Sequence, residues 1–228
     1  HRHEGDHRQS IATIRKKFPA RSTGFDLLQR ERLTVFGSHI RSARIGVTEL
    51  FICGEIFNED DIRSAARSAA PQETVLLELF LREGVSALSR INGSFMIIIL
   101  EHDSGRRRII NDQMGTRQVF YYAADDFIVF GSELKFLFCH SLCPRNIDWT
   151  ASLKRHIPFL IINAERQYEA WFKDIKLLEE GSILELPPSG PHTVFPYWNP
   201  WQTISSPLNG IGQQSEDRQV DMYCEAYM

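Results

Sequence analysis

The hydrophobic positions of this chain switch between two periods. Val75, Leu76, Leu79, Phe80, Val85 and Leu88 recur at helical spacing on one stripe, which predicts a one-sided helix over residues 73–90. Gly84 interrupts the stripe near its middle and is expected to split the helix in two. Ile11, Ile14 and Phe18 mark an earlier helix, with Ser10 as its N-cap and Pro19 closing it. Further helices are expected over Asp60–Ser68, acidic in its first turn, and over Thr150–Phe159. Phe95–Leu100 is a continuous apolar run with β-branched residues, the pattern of a strand buried on both faces. Leu33–Phe36, Val47–Ile52, Val119–Ala123 and Phe127–Gly131 read as shorter strands. Asp103-Ser104-Gly105 turns the long run back through Arg108–Ile110, and Ala124-Asp125-Asp126 joins the last pair. Ser132 is expected to cap a short helix, Glu133–Cys139. Ile175–Leu178, Ser182–Leu186 and Thr193–Phe195 read as edge strands, separated by Gly181 and by the Pro187-Pro188-Ser189-Gly190 turn. Two buried hairpins with helices inserted between them make a layered α+β architecture. In it, Phe95–Leu100 and Leu50–Ile52 are placed in two sheets packed face to face, with the 73–90 helix on one outer face.

Composition narrows the class. The 228 residues suffice for one large domain or two small ones, and 43% apolar with 24% charged residues is ordinary for a soluble globular chain. A net charge of −3 gives no general attraction to nucleic acid or to an anionic membrane. Arg15-Lys16-Lys17 and Arg106-Arg107-Arg108 read as solvated clusters. The longest apolar run is far too short to span a bilayer, so no membrane partner is expected. Residues 1–9 read as a disordered or leftover segment, 10–200 as the domain, and 201–228 as a polar linker or tail. Cys53, Cys139, Cys143 and Cys224 carry no secretory signal with them, which predicts free thiols and a cytoplasmic location. Cys139 and Cys143 make at most half of a zinc site without a second cysteine pair, so no metal is expected.

The chemistry centres on Cys53-Gly54-Glu55-Ile56-Phe57-Asn58. An apolar strand, Glu49-Leu50-Phe51-Ile52, leads in, and Glu59-Asp60-Asp61 opens a helix after it. The strand is expected to end in a Gly turn that presents backbone N–H groups to a ligand. Then follow Ile91-Asn92-Gly93-Ser94-Phe95, Asp112-Gln113-Met114-Gly115, Phe120-Tyr121-Tyr122 and Phe130-Gly131-Ser132-Glu133-Leu134-Lys135. Lys176-Leu177-Leu178-Glu179-Glu180-Gly181 and then Tyr197-Trp198 close the series. This ordered set resembles the glutaminase domain of the asparagine synthetase family, the class II glutamine amidotransferases, over roughly Ser10–Trp198. The resemblance implies the four-layer αββα sandwich of N-terminal-nucleophile hydrolases, with glutamine as the ligand.

Members of that family attack glutamine with the thiol of their first residue, using its own α-amino group as base. An oxyanion hole stabilises the intermediate. An Arg holds the substrate carboxylate and an acid holds its α-amino group. By resemblance, Cys53 and Gly54 are the oxyanion-hole pair, with Cys53 standing where the family has Asn. A thiol is a poor donor, and loss of one such donor costs about two to three orders of magnitude in rate. Arg21, in Arg21-Ser22-Thr23-Gly24, falls at the carboxylate-binding Arg, and Glu55 lies in the substrate-binding motif. Gln72 falls at the substrate-binding Asp, with Glu73 as the alternative after a one-residue shift. Position 1 is His and no Cys precedes Cys53, so no catalytic residue is assigned. Cys53 as a nucleophile lacks an accompanying His and is read as an inert buried thiol. Asp112 and Gly115 are read structurally: Gly115 permits a turn, and Asp112 bonds nearby backbone. Glu133 is read as a helix-start residue.

No Ser-Gly-Gly-x-Asp-Ser loop occurs, so no cofactor is expected in this chain. ATP and magnesium are expected in a synthetase domain that follows it, which is the expected partner. The implied function is a catalytically degenerate glutamine amidotransferase domain acting as a scaffold for ATP-dependent amide formation, as in β-lactam synthetase-like members. The alternatives are a truncated active glutaminase that supplies ammonia for asparagine synthesis, and a freestanding binding module. Phe159, Leu160, Ile161 and Ile162, with Trp171 and Phe172, are expected either to face the partner or to fill a satellite core.

Overall fold

The apolar runs and stripes assemble by strand pairing first. The computed structural model describes residues 4–19, 25–30, 33–124, 127–150, 152, 168 and 170–199. Helix α1 (Glu4–Lys17) precedes two hairpins, β1 (Phe25–Arg30) with β2 (Leu33–Ser38), and β3 (Arg41–Ile45) with β4 (Thr48–Ile56). Helices α2 (Glu59–Ala66) and α3 (Gln72–Glu83) follow, and Gly84 breaks α3 into a 3₁₀ segment, Gly84–Arg90. Next come β5 (Gly93–Glu101), β6 (Arg107–Asn111), β7 (Phe120–Ala123), β8 (Ile128–Gly131) and the short helix α4 (Leu134–Leu137). Strands β9 (Ile175–Leu177), β10 (Ser182–Leu186) and β11 (Thr193–Pro196) complete the set. The strands form a β1–β2 ribbon, a six-stranded sheet in the order β11-β10-β6-β5-β4-β3, and a three-stranded sheet in the order β8-β7-β9.

Alternation along each strand sorts the side chains into layers. Leu50, Ile52, Phe95, Ile97 and Ile99 face α2, α3 and the 3₁₀ segment, meeting Ile62, Val75, Leu76, Phe80 and Leu88. Phe51, Cys53, Met96 and Ile98 point the other way, onto Val35 of β2 and Tyr121 of β7. On the far side of the three-stranded sheet, Phe120 and Ile175 pack on Leu137 of α4 and on Cys143. The fold is α+β, a sandwich of helix, sheet, sheet and helix layers. Among the described residues no helix is long and apolar enough to cross a membrane.

Several expectations change. Leu50–Ile52 and Phe95–Leu100 are neighbours in one sheet, with Leu50 opposite Ile99 and Ile52 opposite Ile97. Apolarity on both faces reports burial between two layers, and it leaves the pairing partner open. Helix α1 starts at Glu4, so Ser10 is a buried position inside it and no cap. The polar first turns of α1 carry no apolar periodicity that could have announced them. At α4 the N-cap position is Glu133, without a side-chain cap bond. Strand β10 lies between β11 and β6 and is no edge strand. Strands β1 and β3 were not anticipated. The Thr150–Phe159 helix lies largely outside the described residues, and Leu160–Ile162 and the 201–228 tail lie wholly outside them. By internal packing the chain divides into His1–Tyr197 and Trp198–Met228, and of the second unit only Trp198 and Asn199 are described.

The β1–β2 ribbon is tied to the six-stranded sheet by charge. Arg30 Nε donates to Glu49 Oε1 at 2.9 Å and to Oε2 at 2.8 Å, and its Nη2 also reaches Oε1. His102 Nε2 lies 3.1 Å from Glu49 Oε2. Burial by itself pushes the Glu49 carboxyl up, but the hydrogen bonds and charges of Arg30 and His102 outweigh it and hold its pKa below the usual value. A depressed folded-state pKa contributes stability above the unfolded carboxylate value, about 4.3, and loses it as pH falls through the folded value. The stability advantage of the wild type over Glu49→Gln should therefore be full near pH 7 and shrink as pH falls below the unfolded carboxylate value, as read from urea midpoints.

Candidate functional site

Gly54 lies within β4, not in a turn after it. β4 runs on to Ile56, with Gly54 opposite Phe95 and Ile56 opposite Gly93. A Cβ on Gly54 would stand 2.2 Å from the Ser94 carbonyl oxygen, and one on Gly93 would stand 2.3 Å from that of Glu55. Gly54 also has φ +118°, which L side chains rarely adopt. The glycine thus marks a close approach of two backbones rather than a chain reversal. Asn58 braces the exit from β4. Its Nδ2 donates to the Arg90 carbonyl at 2.8 Å, and its Oδ1 accepts from the Asn92 N–H at 2.9 Å.

Two arginine side chains converge on Gly54. Arg41 of β3 donates from Nη1 to Gln72 Oε1 at 2.6 Å and from Nη2 to the Gly54 carbonyl at 2.9 Å. Gln72 is buried at the start of α3. Arg117 arrives from the loop between β6 and β7, its Nε 3.1 Å from where a Gly54 Cβ would be. That Nε is buried and has no hydrogen-bond partner among the described residues. Cys53 turns its side chain into the apolar layer between the sheets. Burial pushes its thiol pKa up, and the charges of Arg117 and Arg41 oppose this without prevailing.

Asp112 sets the position of Arg117. Asp112 is fully buried and accepts from the N–H groups of Met114 (3.2 Å), Thr116 (2.8 Å) and Arg117 (2.9 Å), and from the Thr116 hydroxyl (3.0 Å). Gly115, at φ +60°, lets the loop fold back over this carboxylate, as the sequence reading of both residues has it. The Asp112 carbonyl accepts from Gly181 N–H at 2.8 Å, and Tyr197 Oη donates to the Asn111 carbonyl at 2.8 Å. An open cleft of about 400 Å³ lies on this loop, lined by Ser94, Gly115, Thr116, Arg117, Gln118 and Ser132.

Residues 32–198 match the family described as glutamine amidotransferase domain. The chain belongs to this family. An asparagine synthetase (glutamine-hydrolysing) of Bacillus subtilis is 25% identical over 146 residues, which are 62% of this chain and 20% of that protein. The chain thus spans about a fifth of that relative's length. Two solved structures are also similar. Glutamine phosphoribosylpyrophosphate amidotransferase from Bacillus subtilis, complexed with ADP and GMP, gives 13% identity and a TM-score of 0.48 over 71% of this chain and 32% of its own. An allosteric regulatory enzyme of purine biosynthesis gives 14% identity and 0.45 over 66% and 29%.

Of the positions singled out in this amidotransferase domain from sequence, Cys53, Gly54 and Gln72 come together. Glu55 is exposed and Glu73 half-buried, and neither hydrogen-bonds to this group among the described residues. Arg21 lies outside the described residues. Arg41 and Arg117 escaped sequence reading. The signal for Arg41 is a weak period of two, with Arg41, Ala43 and Ile45 half-buried and Ser42 and Arg44 exposed. Arg117 had no signal of its own until Asp112 is seen to organise the loop.

Two outcomes are expected. Gly54→Ala should lose about 3 kcal/mol or more in chemical denaturation, since it adds a clash to an unfavourable φ. Gly46→Ala is the control: φ is +58° there but no atom lies within 4 Å of the added Cβ, so the loss should be only about 1–2 kcal/mol. Peptide mapping should show Cys53 alkylated slowly near pH 7 in the native state, and more slowly still in Arg117→Gln, which removes a charge that favours the thiolate. Rapid native alkylation of Cys53 would contradict this.

Proposed function

We propose that this glutamine amidotransferase domain does not hydrolyse glutamine and serves as a scaffold for an ATP-dependent amide-forming domain of the same protein. The observation that carries the reading is the bridge from Arg41 to Gln72 Oε1 and the Gly54 carbonyl. By resemblance, Gln72 stands where an acid receives the substrate's α-ammonium group. An amide lacks the charge for that task, and its oxygen is already committed to a guanidinium 2.6 Å away. A positive group at that place repels an α-ammonium; two unit charges about 4 Å apart near a protein surface interact by about 4 kcal/mol. Cys53 supports the same reading. At the oxyanion position it offers a weak donor buried in an apolar layer, and its raised pKa keeps the thiol protonated.

The scaffold role draws on the Bacillus subtilis asparagine synthetase, a protein about five times as long as the region matched. On this reading ATP and magnesium belong to the synthetase domain, and the buried free thiols Cys53, Cys139 and Cys143 suit the cytoplasm. The test is ammonia release from glutamine by the intact protein. Release no faster than in buffer is expected. Glutamine-dependent release above that rate overturns the proposal.

A further inference from the structure

We propose that the groove between α1 and β1 docks an acidic amphipathic helix of a partner protein. The groove holds about 600 Å³ and is lined by Arg8, Ile11, Ala12, Arg15, Lys16 and Leu27. The five helical residues follow the i, i+3, i+4, i+7, i+8 spacing, so they form one face of α1. Leu27 is the contribution of the strand. It stands opposite Phe36 of β2, and the Arg15 guanidinium lies over the Phe36 ring, 5.3 Å from its centroid. Helix α1 therefore runs along the outer face of the β1–β2 ribbon, whose inner face packs on the core through Leu28 and Val35.

The apolar part of this face is left uncovered. Helix α1 buries Ser10 and Ile14 on another side, while Ile11 stays half-buried, Ala12 is exposed and Leu27 is 44% exposed. The second observation is charge. Three cations border the groove and no acid lines it. Arg15 and Lys16 are exposed, and among the described residues neither pairs with an acid. Asp26, next to Leu27, is turned to the opposite face of the ribbon by strand alternation. Like charges gathered on two turns of one helix repel each other, and acids from a partner relieve that repulsion.

Shape selects a helix. From Arg8 to Lys16 the face covers two turns, about 12 Å. A small anion meets one end of it. A helix laid alongside, with acids one heptad apart, meets Arg8 and Arg15 together, and apolar side chains between those acids fall onto Ile11, Ala12 and Leu27. Ala12 is small and exposed, so it lets the partner backbone come close. A bilayer fits less well: the apolar residues are recessed between helix and ribbon, and the chain's net charge of −3 opposes a general attraction to anionic lipid. The groove residues all precede residues 32–198, the part that matches the amidotransferase family. The inference therefore stands apart from the question of glutamine hydrolysis.

Fluorescence anisotropy with the full chain tests it. The probe is a labelled helical peptide of about 15 residues, with Glu at heptad spacing on one face and Leu between. The same peptide with Gln in place of Glu, and phosphatidylserine vesicles, are the comparisons. Saturable binding of the Glu peptide is expected, weakening with added salt because exposed charges are screened beyond about 8 Å at 0.15 M. Lys16→Glu should weaken it by about tenfold, since a rim cation becomes a repelling acid. Leu27→Ser should weaken it by about fivefold through lost apolar contact. Both positions are exposed, so both variants should keep the wild-type urea midpoint, and Lys16→Glu decides should Leu27→Ser lose stability. No saturable binding, equal affinity for the Gln peptide, or unchanged affinity in Lys16→Glu overturns the proposal. Binding to the vesicles in the absence of peptide binding also overturns it, and assigns the face to a lipid surface.

Discussion

A carboxylate that pairs with no cation among the described residues holds this site in shape. Asp112 is enclosed completely, and its charge is met by three peptide N–H groups and a hydroxyl from the five residues that follow it. Such charge-assisted bonds are short-range and directional, so they fix a loop more firmly than a surface ion pair does. The same residue's carbonyl takes the N–H of Gly181, and its neighbour Asn111 takes the Tyr197 hydroxyl. The loop that carries Arg117 and the segment that closes the fold therefore share one anchor. Tyr197 registers this: its pKa is raised by burial and by the Asp112 charge.

The site sits where the layers meet. Gln72 belongs to the helical layer, Gly54 and Arg41 to the six-stranded sheet, and Arg117 to the loop that leads into the second sheet. Gly54 makes the meeting possible, because a strand pair with two missing side chains, at Gly54 and Gly93, draws the backbones together at the point where β4 leaves and β5 enters. Cys53, one residue earlier, is turned by strand alternation into the inter-sheet core. Its chemistry follows from that parity: desolvation governs the thiol more than the two nearby arginines do.

Much of the fold was legible because it is written in local periods. The α3 stripe, its break at Gly84, the β5–β6 and β7–β8 hairpins and the Asp112–Gly115 loop all depend on residues close in sequence. What was not legible is long-range or weakly apolar. Nothing local says that Leu50–Ile52 pairs with Ile97–Ile99 rather than facing it across a core. β3 escaped because Arg-Ser-Ala-Arg-Ile carries little apolar signal, and the Arg41 contact to Gln72, 31 residues away, escaped with it. Gly54 was misplaced for a related reason. Glycine signals a turn and a close backbone approach alike, and only the partner strand distinguishes them. Cys53 and Gly54 lie inside β4 and Gln72 lies one residue before the helix read from the stripe, so what links them is the Arg41 bridge, which no local motif announces.

The six-stranded sheet has two free margins among the described residues, β3 and β11. A margin with unpaired peptide groups is a template for another chain. β11 is four residues long and ends at Pro196, which has no N–H to continue a ladder. β3 carries two arginines, and Arg44 is exposed beside Ser42. A second copy that tried to add a strand there would bring like charges into register and strip water from them. The exposed Arg44 of this strand thus guards the sheet margin against templated aggregation.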